Sequence, residues 1–389
     1  MKILQMVPYF YPAWAYGGPG KVVYDFASYF ASTGNQVTVY TSDAYDSTSR
    51  MPEKLHVNKK NLHVRYFKNL NNYLAYHYNV FFTPGLFIKS LFEVQSFDII
   101  HIHDFYTLQN FFVGILARVF KVPYILSVHG CLEDARLQQK NAIKKIFLWL
   151  YGYQFLRHAT KVVATSDNER TSYLDLGIPK EKIIRLAHGV SLKDFNTTIS
   201  SIVARKKLNL PAGKTLVTFL GRIHKIKGLD KLAEAIKLLQ DRKDVHFVIA
   251  GSDDGYLSTL LRLLKKYDIK NVTLMGTCIG EEKKLLFKAS DMFIYPSYSE
   301  GFSLGILEAG AAGLPLILSK GCHFDEVETS RAGIITDNNP RELKKAILKI
   351  IDNNEFRKQA ADNAKKLIES KYSLTAISNT LLKVYSDVL

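Results

Sequence analysis

Short runs of β-branched and aliphatic residues recur along this chain, each followed by a longer amphipathic stretch, and nothing else in the sequence limits its fold so tightly. The runs cover residues 3–7, 36–40, 62–67, 98–102, 124–128 and 161–165. The rhythm breaks at the polar segment 197–201, passes a helical stretch at 205–210 that ends on Pro211, and starts afresh at 215–220, 245–250, 271–275, 292–295 and 315–318. A strand that is apolar on both faces needs cover on both sides, and a parallel neighbour needs a crossover long enough to hold a helix. The pattern therefore predicts two α/β domains, each a Rossmann-like parallel sheet, at residues 1–195 and 196–372, facing each other across a cleft. Beyond them Leu374, Ile377, Leu381, Leu382, Tyr385 and Val388 fall at helical spacing, so 373–389 is expected to be a helix that buries one face.

With 389 residues, 47% of them hydrophobic, there is material for two such cores, which excludes a peptide hormone, a disordered tail and a disulfide-built miniature. Cys131, Cys278 and Cys322 show no metal-type spacing and leave an odd thiol, the usage of a reducing cytoplasm. Residues 1–7 are too short and wrongly flanked for a secretory signal, and no run of about 18 apolar residues is there to span a bilayer. Lysine and arginine number 52 against 36 aspartate and glutamate, a net charge of +16, which favours polyanions, anionic lipid head groups or phosphate-bearing small molecules. The charge is evenly spread: 22 basic and 14 acidic residues in 1–195, 30 and 22 in the rest, hence +8 in each part. Even spread, without zinc-finger or basic-zipper patterns, argues against a nucleic-acid face.

In sheets of this kind ligands gather beyond the carboxyl ends of the strands, and the unusual residues of the chain fall there. Gly221-Arg222-Ile223-His224-Lys225-Ile226-Lys227-Gly228 follows an apolar strand and precedes a helix. A glycine turn, several cations and a helix N-terminus in one small volume make a trap for a phosphate or diphosphate, with Arg222 and Lys227 as its clamps; the competing reading is a solvated basic loop. Glu300-Gly301-Phe302-Ser303-Leu304-Gly305-Ile306-Leu307-Glu308 follows the strand at 292–295. With a helix starting near Ser303, Glu300 lies on the loop before it and Glu308 more than one turn inside, while the amides of Phe302, Ser303 and Leu304 point at an incoming anion. Carboxylates accept hydrogen bonds from sugar hydroxyls in pairs and the helix end takes phosphate, so this set suits a polyhydroxylated phosphate ester; the bland alternative is a cap at Glu300 and a surface charge at Glu308.

His129, leaving the strand at 124–128, is either a structural hydrogen-bond partner or a catalytic group. His101 and His103 share a strand face, but one strand without further ligands does not make a metal site, and none is expected. Gly17-Gly18-Pro19-Gly20 lacks the dinucleotide-binding glycine spacing, and Tyr40-Thr41 stands where a ribose-binding carboxylate would end the second strand, which disfavours a nicotinamide dehydrogenase. At 139–157, Lys140, Lys144, Lys145 and Arg157 alternate with Ile143, Ile146, Phe147, Leu148, Trp149, Leu150 and Tyr151, the composition of an interfacial helix on an anionic membrane or of a core helix with a basic edge. The aromatic stretch 81–87 is a second candidate for contact with lipid or acceptor.

Taken in order, Gly17-Gly18, His129, Gly221-Arg222 with Lys227-Gly228, Asp291-Met292-Phe293-Ile294-Tyr295-Pro296-Ser297 and the E-x7-E pair Glu300 and Glu308 resemble the GT-B glycosyltransferases of family 4, also called group 1, over nearly the whole chain. The resemblance implies a retaining hexosyltransferase whose first domain takes the acceptor and whose second takes a nucleotide sugar, with the final helix crossing back onto the first. It implies that Glu308 binds the ribose hydroxyls, that Glu300 and the amides after Gly301 hold the donor sugar, and that Arg222 and Lys227 neutralise the departing diphosphate. Gly17 and Gly18 then let a first-domain amide approach that diphosphate, His129 bonds the transferred sugar, and the nucleobase lies against Gly276, Thr277, Cys278 and Ile279. No cofactor or metal is needed, because the nucleotide sugar is a substrate and two cations stand in for Mg2+. UDP-glucose is the first expectation for the donor and GDP-mannose its competitor; the acceptor is a polysaccharide, a lipopolysaccharide or a lipid-linked saccharide at the inner face of the cell membrane. Ser303 where glycine is frequent, Gly310 where a larger residue is common, and an expanded glycine turn at 251–255 depart from the pattern. A nucleotide-sugar epimerase, a phosphorylase, for which nothing nominates a pyridoxal phosphate lysine, and a nucleotide-sugar-binding protein without turnover are the other readings.

Overall fold

The structure is a computed structural model that describes residues 1–132 and 151–389. These divide into two compact units, Met1–Gly189 together with Leu374–Leu389, and Val190–Ser373. The division thus falls between Gly189 and Val190, a few residues before the polar segment where the sequence rhythm breaks.

The first unit is built on one sheet with the strand order β3-β4-β2-β1-β5-β6-β7-β8. Its strands are β1 (Lys2–Met6), β2 (Gln36–Ser42), β3 (Asn58–Lys59), β4 (Leu62–Phe67), β5 (Ile99–His103), β6 (Tyr124–Ser127), β7 (Lys161–Ala164) and β8 (Ile183–Arg185). All neighbours pair in parallel except the two-residue β3, which runs antiparallel to β4. The central β1 and β5 are buried along almost their whole length, as strands covered on both faces must be. The helix Pro19–Ser32 opens with proline in its first turn, where no amide partner is lost, and turns Val22, Val23, Phe26, Ala27 and Phe30 inward. Against it lies the C-terminal helix Leu374–Asp387, with Ile377, Leu381 and Tyr385 buried. Burying each such side chain is worth about 2 kcal/mol, enough to hold the segment down. Gly189 makes that docking possible, since a Cβ there would stand 2.8 Å from Leu374 Cα.

The second unit carries β9 (Thr215–Leu220), β10 (Val245–Ala250), β11 (Val272–Gly276), β12 (Met292–Tyr295), β13 (Leu316–Ser319) and β14 (Gly333–Thr336), all parallel, in the order β11-β10-β9-β12-β13-β14. Asp291, just ahead of β12, accepts from the Leu216 amide at 2.7 Å and from Arg205 at 2.7 Å, so the acidic start of that motif ties the strand to its neighbour. Gly310 has a packing reason: a Cβ there would come within 2.8 Å of Ile368, so the helix Leu304–Ala311 can lie close on the helix Asn354–Lys371. The short strands β3, β8 and β14 lie at sheet edges, and the sequence reading passed over them. Each is four residues or fewer, β3 exposed and β8 and β14 only partly buried, too little apolar sequence to stand out.

Candidate functional site

In the second unit the chain leaves β9 for β10 and β11, then returns to β12 on the opposite flank of β9. Loops that leave adjacent strands at such a reversal diverge and open a crevice at the carboxyl ends. The loops after β9 and β12 are those that carry Lys227 and Glu300. They are stitched together, with the Tyr298 amide donating to Ile226 O at 2.8 Å and Ser297 Oγ 2.9 Å from the same oxygen. Gly228, at φ +66°, closes the seam, because any Cβ there would lie 1.9 Å from Pro296 O.

The stitching brings Lys227 Nζ onto Glu300 Oε1 as an ion pair in which both residues are buried, 6% and 5% exposed. Ser297 Oγ donates to the same oxygen at 2.7 Å, and the Glu300 amide donates to Gly321 O at 2.8 Å. Burial alone would lower the Lys227 ammonium, but Tyr295 and the Glu300 carboxylate outweigh it and hold the group above the ordinary lysine range. Lys227 is therefore a fixed positive charge. Arg222 is placed differently: half exposed, it pairs with Asp254 at 2.5 Å. The expanded turn that supplies Asp254 is also orderly, since Asp253 Oδ1 accepts from the amides of Gly255, Tyr256 and Leu257 at 3.0–3.1 Å and so caps the helix Leu257–Lys266.

Past Glu300, Gly301 is buried and the Phe302 ring packs 5.5 Å from both Phe324 and Tyr372. Ser303 opens the helix Leu304–Ala311 in extended conformation, its hydroxyl bonded to Tyr295. A Cβ on Gly305 would lie 3.1 Å from Leu220 O, so the helix starts against the end of β9. Glu308, one turn further on, receives Lys283 Nζ on Oε1 at 2.5 Å, and both side chains are mostly buried. A carboxylate offers about four acceptor positions, so the lysine orients Glu308 without exhausting it. At the end of β11, Gly276 adopts φ +67° and its carbonyl accepts from the Gly251 amide at 2.6 Å. Thr277 and Ile279 are exposed, whereas Cys278 is buried, which pushes its thiol up to about 12 and keeps it protonated. The second unit thus gathers Arg222, Lys227, Glu300 and Gly301–Leu304 at one strand-end crevice, with Glu308 inside the adjoining helix and 276–279 at the end of β11. The sequence reading missed Lys283, which lies in no motif, and gave no role to Asp254 in the 251–255 turn or to Ser297 at the end of the 291–297 motif; Lys283 and Asp254 become partners through the sheet order, Ser297 through a local turn.

Gly17, Gly18 and His129 belong to the first unit. Gly17 takes φ +101°, open to glycine and strained for other residues, while Gly18 is the helical N-cap before Pro19. His129 and Gly130 both have positive φ, 53° and 75°. The turn is held by fully buried Glu169, which accepts from the Gly130 amide at 2.6 Å and from the Thr165 amide and hydroxyl at 2.6 and 2.7 Å. His103 Nδ1 meets His129 Nε2 at 3.1 Å, and His101 bonds Ser127 and Tyr385. Burial lowers His101 to about 3 and His188 to about 4; burial and its imidazole neighbours hold His103 well below the ordinary range. The His101 and His103 pair is thus a neutral hydrogen-bonding cluster. Among the described residues no group of His, Cys, Asp and Glu is arranged to hold a metal ion.

Of the basic aromatic segment 139–157, residues 139–150 lie outside the described residues, and Phe155 and Leu156 in the remainder are buried. In 81–87, Phe81 and Leu86 are buried and Phe82 is half exposed. Among the described residues no helix is long and apolar enough to cross a membrane.

Two doubly wound parallel sheets with ligand-type residues at their carboxyl edges are the GT-B architecture. The whole chain superposes on HepE (Alr3699) of Anabaena, solved in complex with UDP and glucose, with TM-score 0.78 and 19% identity, covering 100% of each chain. Residues 16–194 match the Glycosyltransferase Family 4 model, and residues 201–367 match that of Glycosyl transferases group 1. Identity is 27% with the uncharacterized glycosyltransferase MJ1607 of Methanocaldococcus jannaschii, over 99% of this chain and 98% of that protein. It is 28% with the UDP-Gal:alpha-D-GlcNAc-diphosphoundecaprenol alpha-1,3-galactosyltransferase of Escherichia coli, over 64% of this chain and 68% of that one. The chain belongs to the family 4, or group 1, glycosyltransferases, and it is an enzyme that uses a nucleotide sugar.

Proposed function

We propose that the protein is a retaining hexosyltransferase that takes its sugar from a UDP-sugar, UDP-glucose before others, and delivers it to a saccharide or lipid-linked saccharide. The observation that carries this reading is the buried Lys227–Glu300 pair at the strand reversal of the second unit, beside the start of the helix Leu304–Ala311. A diphosphate is already a good anion and leaves when its growing charge is met. Lys227, Arg222 and the helix-end amides supply that charge, and each well-aimed donor of this kind is worth about 3 kcal/mol of barrier, a rate factor of more than 100. Glu300 keeps Lys227 charged and faces the donor sugar, and Glu308, aligned by Lys283, takes the ribose. Both carboxylates are ion-paired to lysines, an arrangement for recognition and not for the acid and base of a glycosidase. Retention then follows if the acceptor attacks from the face the phosphate leaves, a phosphate oxygen taking its proton. Within the first unit the candidate site residues are His129, Gly17 and Gly18. UDP in the complexes of HepE and the UDP-Gal donor of the Escherichia coli relative support the choice of base.

The membrane part of the proposal rests on an exposed face in the first unit. Tyr73 on the helix Asn72–Tyr78, Phe82, and Ile88, Leu91 and Phe92 on the helix Pro84–Glu93 are 45–71% exposed. No acidic residue occurs between Lys68 and Glu93. Exposed tyrosine and phenylalanine suit the head-group region of a leaflet, while Lys89 on the helix Pro84–Glu93 is paired with Glu93 at 2.6 Å. Incubation with radiolabelled UDP-glucose or GDP-mannose and a lipid-linked acceptor, with the product's anomeric configuration read by NMR, tests the whole reading. Retained transfer from UDP-glucose supports it; transfer from GDP-mannose alone replaces the donor, isomerised sugar nucleotide indicates an epimerase, and binding without turnover ends the enzymatic mechanism.

A further inference from the structure

Phe302 sits in the middle of the short segment that joins buried Glu300 to the helix Leu304–Ala311, and its ring belongs to a cluster of three. The Phe302 centroid lies 5.5 Å from Phe324, the planes at 64°, and 5.5 Å from Tyr372, the planes at 38°. Phe324 and Tyr372 stand edge to face at 5.2 Å and 83°. Each ring thus touches both others, at spacings and tilts that aromatic pairs prefer. Phe324 and Tyr372 are buried and Phe302 is half-buried.

The two flanking rings stand on fixed backbone. Tyr372 ends the helix Asn354–Lys371: its amide donates to Ile368 O at 2.9 Å, its carbonyl accepts from the Val190 amide at 2.9 Å, and its hydroxyl donates to Glu326 Oε1 at 3.0 Å. Val190 and Ser373, joined in a parallel bridge, are the first and last residues of the second unit, so the tyrosine is held where the chain enters and leaves it. Phe324 follows a tight turn in which His323 takes φ +48° and a Cβ on Gly321 would stand 2.5 Å from both Ser297 O and Tyr298 O. Gly321 O also accepts from the Glu300 amide at 2.8 Å, so residues 321–324 meet the loop twice, at the Glu300 backbone and at the Phe302 ring. Ser303, the N-cap, makes no side-chain cap on the helix. The amides at the helix start are therefore left for a ligand, and the course of the segment ahead of them is set from outside the helix.

We infer that Tyr372 is a positioning residue that acts through the Phe302 ring, holding the backbone of residues 301–303 so that its amides meet the donor in the geometry that transfer needs. The use made of those amides rests on the function proposed above; the ring clamp itself does not.

The test pairs steady-state kinetics with UDP-glucose and hydrogen exchange read by mass spectrometry, both on the full chain. Tyr372→Phe keeps the ring and gives up one hydrogen bond to Glu326, so its kcat should stay within about threefold of the wild type. Tyr372→Leu keeps apolar bulk without the ring; with the segment free to shift by about 1 Å, kcat should fall about 100-fold. The KM should move by less than about threefold, because the Lys283–Glu308 pair is untouched. A merely structural loss would lower the melting temperature and leave kcat per folded molecule at the wild-type value. Exchange reads the segment without turnover: in the peptide that contains Glu300, the amide bonded to Gly321 O should exchange at least about tenfold faster in Tyr372→Leu and at the wild-type rate in Tyr372→Phe. Phe324→Leu, which removes the other flanking ring, should give the same two effects and serves if Tyr372→Leu does not fold. Unchanged kcat or unchanged exchange in the leucine variants, or a Tyr372→Phe variant as impaired as Tyr372→Leu, would overturn the proposal. Faster exchange in the leucine variants of a protein whose wild type transfers no sugar would instead remove the transfer reading and leave the clamp standing.

Discussion

The buried histidines make the first unit sensitive to mild acid, and the size of the effect can be worked out. In the folded chain His101 titrates at about 3 and His188 at about 4, with His103 also well depressed, against about 6.5 when unfolded. Above pH 6.5 neither state binds the extra proton and the stability is complete. As the pH falls from there toward the folded values, the unfolded chain takes up protons that the folded one refuses, so stability is lost. At pH 5 His101 and His188 each cost about 2 kcal/mol, about 4 kcal/mol together, with His103 acting in the same direction, a large share of the 5–15 kcal/mol that holds a typical domain. Both tryptophans, Trp14 and Trp149, lie in the sequence of the first unit, so tryptophan fluorescence in urea follows that unit. Between pH 7.5 and 5 the unfolding free energy should fall, with each histidine adding a slope of at most about 1.4 kcal/mol per pH unit. His188→Asn should flatten that slope by one histidine's share, whatever it does to stability at pH 7.5. A free energy that stays level over this range, or a variant with the wild-type slope, would show that these rings are not held neutral.

Lys227→Met should destabilise the second unit by about 3–5 kcal/mol, because Glu300 is left buried and unpaired, and the double variant with Glu300→Leu should recover much of that in a thermal melt while transfer stays lost. Arg222→Ala separates the two effects: its pair with Asp254 is half exposed and worth less than about 1 kcal/mol, so stability should hold while kcat drops about 100-fold, and normal turnover would remove it as a clamp. Glu308→Ala should weaken binding of the nucleoside diphosphate at least about tenfold by calorimetry, and unchanged affinity would discard the ribose role.

Both sheets were legible in the residue order because a parallel strand covered on two faces must be a near-continuous apolar run, and its crossover must be long. Gly221, Arg222, Lys227 and the Glu300–Glu308 spacing were visible for the same local reason, since strand ends and helix starts are where such residues stand out. The short edge strands β3, β8 and β14 escaped, having too little apolar sequence to show a period. Tyr385 was recognised only as one of a row of apolar positions on a helix, and nothing near it in the chain marks it as a partner of Gln5, 380 residues away.

By itself, then, the sequence determined the class of fold, the two-unit plan and the residues able to meet a diphosphate and a pair of sugar hydroxyls, all of them written in short-range patterns. Only the tertiary structure decided which charge answers which. Lys227 is held by Glu300, Glu308 by Lys283, and the turn of His129 by Glu169, through contacts between segments that only the order of the strands brings side by side. A hydrogen bond or buried ion pair acts over about 3 Å, and no spacing along the chain encodes so short a distance between residues that far apart.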